Sequence, residues 1–193
     1  MEADRIKWNR RFESEDSFLG VRPSPFLSRE IDRIKLLVPG HTALDIACGE
    51  GRNSLFLAEN GFQVTGLDIS DVGLSKGIAR ANSAGVSIDF RRVNLDGYSI
   101  SEKYDLILNF NFLLRGLIPS EVQALTPGGL LLFDTILESP QLLASHDPSY
   151  LLRKGELAKI FGAYQGEILS SEESDEGDMP TARVLFRKSP ETI

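Results

Sequence analysis

Between Thr42 and Ile136, short apolar runs alternate with segments of helical periodicity, and no other feature constrains the fold as much. The runs are TALDIA from Thr42, QVTGLDI from Gln63, VSIDFRRVNL from Val86, YDLILNF from Tyr104 and GGLLLFDTIL from Gly128. Two gaps hold helices: RNSLFLAEN from Arg52, closed by Gly61, and SDVGLSKGIARANSAG, capped by Ser70 and ended near Gly85. A parallel partner strand needs a crossover connection, so strands joined through helices form a parallel sheet with helices on both faces.

The flanks complete the picture. The chain reads as helix or loop up to about Phe18, then as a helix with Ser24 as N-cap, Pro25 at its first position and Gly40 beyond its end. Phe26, Leu27, Ile31, Ile34 and Leu37 recur at helical spacing, which buries one face. Between Asn109 and Gly129, Pro119 sits mid-connection and allows only a brief helix. KGELAKIFGA is a short helix, and YQGEILSSEES and TARVLFRKS are alternating strands around an acidic loop, an antiparallel hairpin on the sheet edge. The expected fold is α/β: a Rossmann-like, doubly wound, mostly parallel seven-stranded sheet with a C-terminal antiparallel hairpin strand. It makes one domain over 1–193, with a helical cap or lid at 1–38 and the core at 42–193.

Composition narrows the function classes. A net charge of −7 argues against broad nucleic-acid binding, and the one basic stretch is RIKWNRR from Arg5. Cys48 is the single cysteine and the histidines number two, His41 and His146, so neither a disulfide nor a structural zinc site is expected. No apolar run approaches the roughly 18 residues that would span a membrane, and the first residues lack a secretory apolar core. The expected location is the cytoplasm, with no membrane partner; the sequence is silent on oligomeric state.

In an open α/β sheet, ligands bind beyond the carboxyl ends of the strands, where the strand order reverses. ALDIACGEGRN, from Ala43 to Asn53, falls there. Gly49 and Gly51 let backbone approach a ligand, and the helix from Arg52 aims its amides at it. A dinucleotide fingerprint would place a third glycine at Ser54. Asp45, four residues before the first glycine, would repel a pyrophosphate and attract a ligand bearing ammonium and sulfonium charge, such as S-adenosylmethionine (SAM). Asp68, nineteen residues after Gly49, suits ribose hydroxyls and fits NAD equally well.

LDIACGEGRNSLFLAENGFQVTGLDIS resembles the first motif through the ribose-binding acid of the class I SAM-dependent methyltransferases. It is most similar to their small tellurite-resistance-like (TehB-like) branch. WNRRF with PSPFL, YDLILNFNFLLR, LTPGGLLLFDTI and YLLRKGELAKIF add to the likeness, which runs from about Trp8 to Lys188. The resemblance implies that Asp45, Ala47 and Cys48 face the methionine end of SAM, that Gly49 and Gly51 line the turn, and that Arg52 and Asn53 brace it. Asp68 would hold the ribose, Ile69 and Leu95 would lie by the adenine with Asn94, and Asn109 would reach the ligand from the opposite side. Asn94 stands where the family often carries aspartate, with Asp96 two positions on, so the side chain that meets the adenine amino group is left open.

An in-line methyl transfer needs no general base when the acceptor is soft or anionic, which fits the lack of a visible catalytic dyad. Arg115, Trp8 and Tyr150 are the candidates for the acceptor pocket, with Arg22 and Phe26 on the same wall. Trp8, Arg10, Arg11 and Phe12 form either a lid over SAM or an ordinary amphipathic helix. Cys48 reads as packing rather than as a nucleophile, His146 as a loop residue, and the acidic run from Glu172 to Asp178 as a solvated hairpin tip. The expected activity is methylation of a small molecule, an anionic or metalloid compound among the candidates, with S-adenosylhomocysteine as product. The rival readings are a non-catalytic SAM-binding scaffold, a protein methyltransferase and a nicotinamide-dependent oxidoreductase.

Overall fold

The computed structural model describes residues 2–14, 16–175 and 179–190. Its helices are α1 (Glu2–Glu13), α2 (Pro25–Leu37), α3 (Arg52–Glu59), α4 (Asp71–Ala84), α5 (Ile118–Ala124), α6 (Pro140–Leu143) and α7 (Glu156–Phe161). Its strands are β1 (Thr42–Ile46), β2 (Gln63–Asp68), β3 (Ile88–Arg92), β4 (Tyr104–Phe110), β5 (Leu125–Ile136), β6 (Gly166–Ser174) and β7 (Thr181–Lys188). One seven-stranded sheet runs β3-β2-β1-β4-β5-β7-β6, parallel through β5, with β7 antiparallel to both β5 and β6. The strand order reverses between β1 and β4, which places the ligand-binding crevice at the end of β1.

The two sheet faces are covered by separate apolar clusters, as the period-2 alternation of strand side chains requires. Ala43, Leu106, Leu108, Leu130 and Leu132 meet Phe26, Leu27 and Ile34 of α2 and Leu57 of α3. Leu44, Ile46, Ile107, Leu131 and Phe133 meet Val122 of α5 and Leu157 and Phe161 of α7. β4 lies at the centre and all seven of its residues are buried, so each large apolar side chain there contributes roughly 1.5–3 kcal/mol of burial. Asp105 pins the strand starts: its carboxylate accepts from the Thr42 amide and hydroxyl at 3.0 and 2.8 Å and from Thr126 Oγ1 at 2.9 Å.

Several local expectations shift. β3 stops at Arg92, and the Val93 amide adds a last rung to the Asp68 carbonyl at 2.8 Å. The helix expected to be brief, α5, runs for seven residues, with Pro119 in its first turn, where the missing N–H costs nothing. Ser24 precedes α2 without capping it through its side chain. Instead its amide donates to Asn53 Oδ1 at 2.8 Å. Phe26 belongs to the core, flanked by the Arg29 and Arg183 guanidinium groups, and not to an acceptor wall. Of the acidic run expected at a solvated tip, Glu172 pairs with Arg29 at 2.8 Å and Glu173 accepts from the Gly155 amide at 2.6 Å. Residues 176–178 of that run lie outside the described residues.

Candidate functional site

The turn after β1 is built from left-handed backbone: Ala47, Gly49 and Gly51 have φ of 52°, 56° and 72°. Cys48 donates its amide to the Leu67 carbonyl of β2 at 2.9 Å, so the turn is laid against the neighbouring strand. Glycine at position 51 is required twice. Its φ disfavours a side chain, and a Cβ there would fall 2.7 Å from the Phe90 ring of β3. At Gly49 a Cβ would meet the Phe12 ring of α1 at 3.1 Å. The side-chain faces of both glycines are therefore filled by protein, so each glycine is also needed for packing within the turn.

Asp68 organises this turn. Its Oδ2 accepts from the Gly49 amide and its Oδ1 from the Ser70 amide, both at 2.8 Å. Burial raises its pKa above the ordinary carboxylate value, and these amides oppose the rise. Each carboxylate oxygen keeps a further lone pair for a hydroxyl donor. The Val93 bond to the Asp68 carbonyl brings 93–95 alongside. There Leu95 is buried in the core, and exposed Asn94 accepts from the Asp96 amide at 3.1 Å. Ile69 next to Asp68 is half-buried.

Asp45 lies deeper, 2% exposed, with Ser54 Oγ donating to its Oδ2 at 2.6 Å. Burial pushes its pKa up to about 7, against the Ser54 bonds and the nearby Arg52 charge. The same burial, with the Asp45 and Asp68 charges, holds the Cys48 thiol far from its thiolate, which removes the condition for nucleophilic attack.

The remaining residues of the motif, Glu50 and Asn53 buried among them, hold the N-terminal segment. Glu50 Oε2 accepts from the Phe18 amide at 3.0 Å and Ser17 Oγ at 3.3 Å, while Lys76 and Arg80 approach its carboxylate at 3.0 and 3.6 Å. Arg52 Nη1 donates to the Leu19 carbonyl at 2.8 Å, and Asn53 takes the Ser24 amide. Arg52 and Asn53 thus brace a strap of chain over 17–24. The helix before it docks on α4: Asn9 Oδ1 accepts from Ser70 Oγ at 2.7 Å and Arg5 pairs with Asp71 at 2.6 Å. Trp8 stacks with Phe12 and meets Phe18 edge-on, at centroid distances of 5.9 and 6.2 Å. Through Phe12 the helix packs against the glycine turn.

Arg115 requires a correction. It donates to both Glu156 oxygens at 2.7 and 2.9 Å and to the Ser149 and Leu151 carbonyls at 2.7 and 2.8 Å. Four of its five donors clamp the segment that carries exposed Tyr150, and its charge is paired with Glu156 rather than left free to face an acceptor. His146 is exposed and bonded to Ser145.

Sequence reading missed Asn9 and Glu121. Asn9 caps a helix sixty-one positions away, and no spacing rule links the two. Glu121 bonds to Asn109 Nδ2 at 2.8 Å inside the core; the available signal was a lone acid among the apolar positions of IPSEVQA. Asn109 itself is level with Ile46, one residue before the turn.

The strand order and the acidic turn define the Rossmann-like fold of class I methyltransferases. The N-methyltransferase NodS from Bradyrhizobium japonicum WM9, solved with S-adenosylhomocysteine, superposes with a TM-score of 0.72 at 18% identity, over 95% of this chain and 97% of NodS. TehB from Haemophilus influenzae superposes with a TM-score of 0.70 at 23% identity, over 84% of this chain and 62% of TehB. Residues 22–176 match the model of the tellurite resistance protein TehB family, and the chain belongs to that family. Among curated relatives, the ubiquinone biosynthesis O-methyltransferase of Pseudomonas entomophila (strain L48) is 27% identical over 128 residues, 62% of this chain and 55% of the relative. The chain spans about half the length of the first such relatives it matches.

Proposed function

We propose that the chain transfers a methyl group from SAM to a small-molecule acceptor, with SAM seated against the 47–51 turn. One observation carries this reading. Asp45 is a carboxyl sealed at the end of β1 whose hydrogen-bond partner is the neutral Ser54, and burial holds it near pH 7 rather than at the ordinary 3.8. A cationic ligand beside it recovers the cost of ionising it, and a pyrophosphate adds to that cost. The residues present fit the amino-acid end and the ribose of SAM: Asp45 for the ammonium, the spare lone pairs of Asp68 for the hydroxyls.

When bound, SAM supplies a methyl group on a sulfonium, whose C–S bond breaks as the acceptor's bond to carbon forms, leaving S-adenosylhomocysteine. The chain's own task is to position and to exclude water. Asp45 and Asp68 hold the donor, and the strap held by Glu50, Arg52 and Asn53 shields the turn. Fixing two reactants in this way can supply roughly 7–11 kcal/mol of the barrier. The proposed acceptor is a small molecule, in keeping with the O-methyltransferase relatives, and the bound state of Arg115 removes the main argument for an anionic one. The reading places no nucleic acid or membrane at the site.

The test is a melting-temperature titration with SAM, S-adenosylhomocysteine and NAD, followed by transfer of labelled methyl to small hydroxyl-bearing and metalloid oxyanion acceptors. A ligand at a hundredfold excess over its Kd stabilises the native state by about 2.7 kcal/mol. Stabilisation by the first two and label in an acceptor support the reading. Stabilisation by NAD alone overturns it.

A further inference from the structure

Asn109 and Glu121 are both 0% exposed. Asn109 stands near the end of β4, level with Ile46 of β1 and Phe133 of β5, and its amide nitrogen donates to Glu121 Oε1 of α5 at 2.8 Å. The other oxygens of the pair, Asn109 Oδ1 and Glu121 Oε2, have no hydrogen-bond partner among the described residues. A buried acceptor left alone costs about 1–3 kcal/mol, and native proteins hold few of them. Here two such acceptors belong to side chains already bonded to each other. A single proton resolves both: placed on Glu121 Oε2, it donates to Asn109 Oδ1, and acid and amide close a ring of two hydrogen bonds.

The surroundings favour that proton. Burial raises the pKa of Glu121 to about 8, and the only opposing contribution is the Asn109 bond, with no cation involved. The titratable neighbour is Tyr164, just beyond α7, whose phenol is raised first by burial and then by the charge on Glu121. Neither Asn109 nor Tyr164 brings positive charge to stabilise a carboxylate.

We propose that Glu121 is a positioning residue, which as the neutral acid closes a two-bond ring with Asn109 and so fixes the orientation of that amide beside the cofactor crevice. This rests on the SAM reading above, in which Asn109 contacts the donor. When Glu121 loses its proton, its second oxygen and Asn109 Oδ1 are two facing acceptors, the ring opens and the amide is free to turn. The binding-competent fraction then falls with rising pH, and apparent affinity falls with it: one pH unit above the pKa, about a tenth of the protein keeps the ring, so binding weakens about tenfold.

The test measures S-adenosylhomocysteine affinity by calorimetry between pH 6.5 and 9.5 for the native chain and Glu121→Gln. Glutamine donates to Asn109 Oδ1 and accepts from Nδ2 at every pH. It is expected to bind within about twofold of the native chain at pH 7 and to stay flat, while the native chain weakens about tenfold by pH 9. A Glu121→Gln chain that melts normally but binds poorly at pH 7 overturns the proposal, because the anion itself would be required. Matching pH profiles overturn it as well. The native-minus-Glu121→Gln infrared difference spectrum reads the proton without any ligand: a carboxylic-acid carbonyl band at pH 7 supports the ring, and carboxylate bands there refute it. If neither chain binds S-adenosylhomocysteine at any pH, the SAM reading falls and the positioning role with it, while the infrared band still decides the ring.

Discussion

Asp45→Asn isolates the energetic core of the site. Asparagine keeps the shape, accepts from the Ser54 amide and can donate to the Ser54 hydroxyl that now points at Asp45 Oδ2. In the native chain the pKa of Asp45 is raised from 3.8 to about 7 by burial. A carboxyl with a raised folded pKa contributes stability that is fully present below its unfolded value, near pH 4, and is lost as pH climbs through its folded value, near pH 7. At about 1.36 kcal/mol per pH unit, the whole loss is about 4 kcal/mol. Between pH 5 and pH 8 it is about 3 kcal/mol, or about 5–10 °C of melting temperature for a domain of this size. The unliganded Asp45→Asn chain therefore gains on the native chain by that amount as pH rises from 5 to 8, and every other titrating group cancels in the comparison. Binding runs the opposite way. Loss of a charge-assisted contact is worth about 1.5–3 kcal/mol, so Asp45→Asn is expected to bind SAM about 10- to 150-fold more weakly at pH 8. The assay is a pair of melting curves at each pH, with and without SAM. A melting-temperature difference that does not move between pH 5 and pH 8 would refute the desolvation argument. Unchanged SAM affinity would place the ligand elsewhere.

Gly51→Ala is expected to cost about 2–4 kcal/mol in urea unfolding, from left-handed strain and overpacking on Phe90. Adding Phe90→Leu should return part of that loss, and strict additivity would show that the ring is not what the Cβ strikes. Glu50→Ala leaves Lys76 and Arg80 without their shared carboxylate and releases the Phe18 amide, so amide exchange across 17–24 should quicken. Protection equal to the native chain's would contradict that latch. Arg115→Met should lower stability by about 1–3 kcal/mol with SAM affinity intact. An increase in acceptor KM alone, with no loss of stability, would restore Arg115 to the acceptor pocket. Cys48→Ser should retain methyl transfer within a few fold, since a thiol held this far from its thiolate contributes no nucleophile.

What the sequence disclosed was local. The alternation of buried runs and helices fixes strand type because side chains on a strand alternate between faces, and β4 shows it in seven buried residues feeding two clusters. Asp45, Gly49 and Gly51 lie within seven positions of one another, and Asp68 follows at the end of the next strand, so spacing was enough to bring them together. Contacts between remote side chains left no such trace. Arg115 reads as a pocket cation by its place after β4, yet its partner Glu156 lies 41 positions on and consumes it. Glu121 and Asn109 meet only because α5 folds back on β4.

The paired acids of the glycine turn show why residue type and spacing alone underdetermine a site. Asp45 and Glu50 are five positions apart, and the sequence gives both the same chemistry. The backbone separates them. Asp45 ends on the inner side of β1, where its bond is to a neutral hydroxyl and desolvation governs its proton. Glu50 leaves the turn on the other side and meets Lys76, Arg80 and the Phe18 amide. One acid is left with an electrostatic deficit that a cation can fill, and the other is already paired with the α4 cations Lys76 and Arg80. Because Glu50, Arg52 and Asn53 all grip the strap, the turn and its cover form one mechanical unit. A change that loosens 17–24 therefore also releases the outer side of the turn on which Asp45 depends.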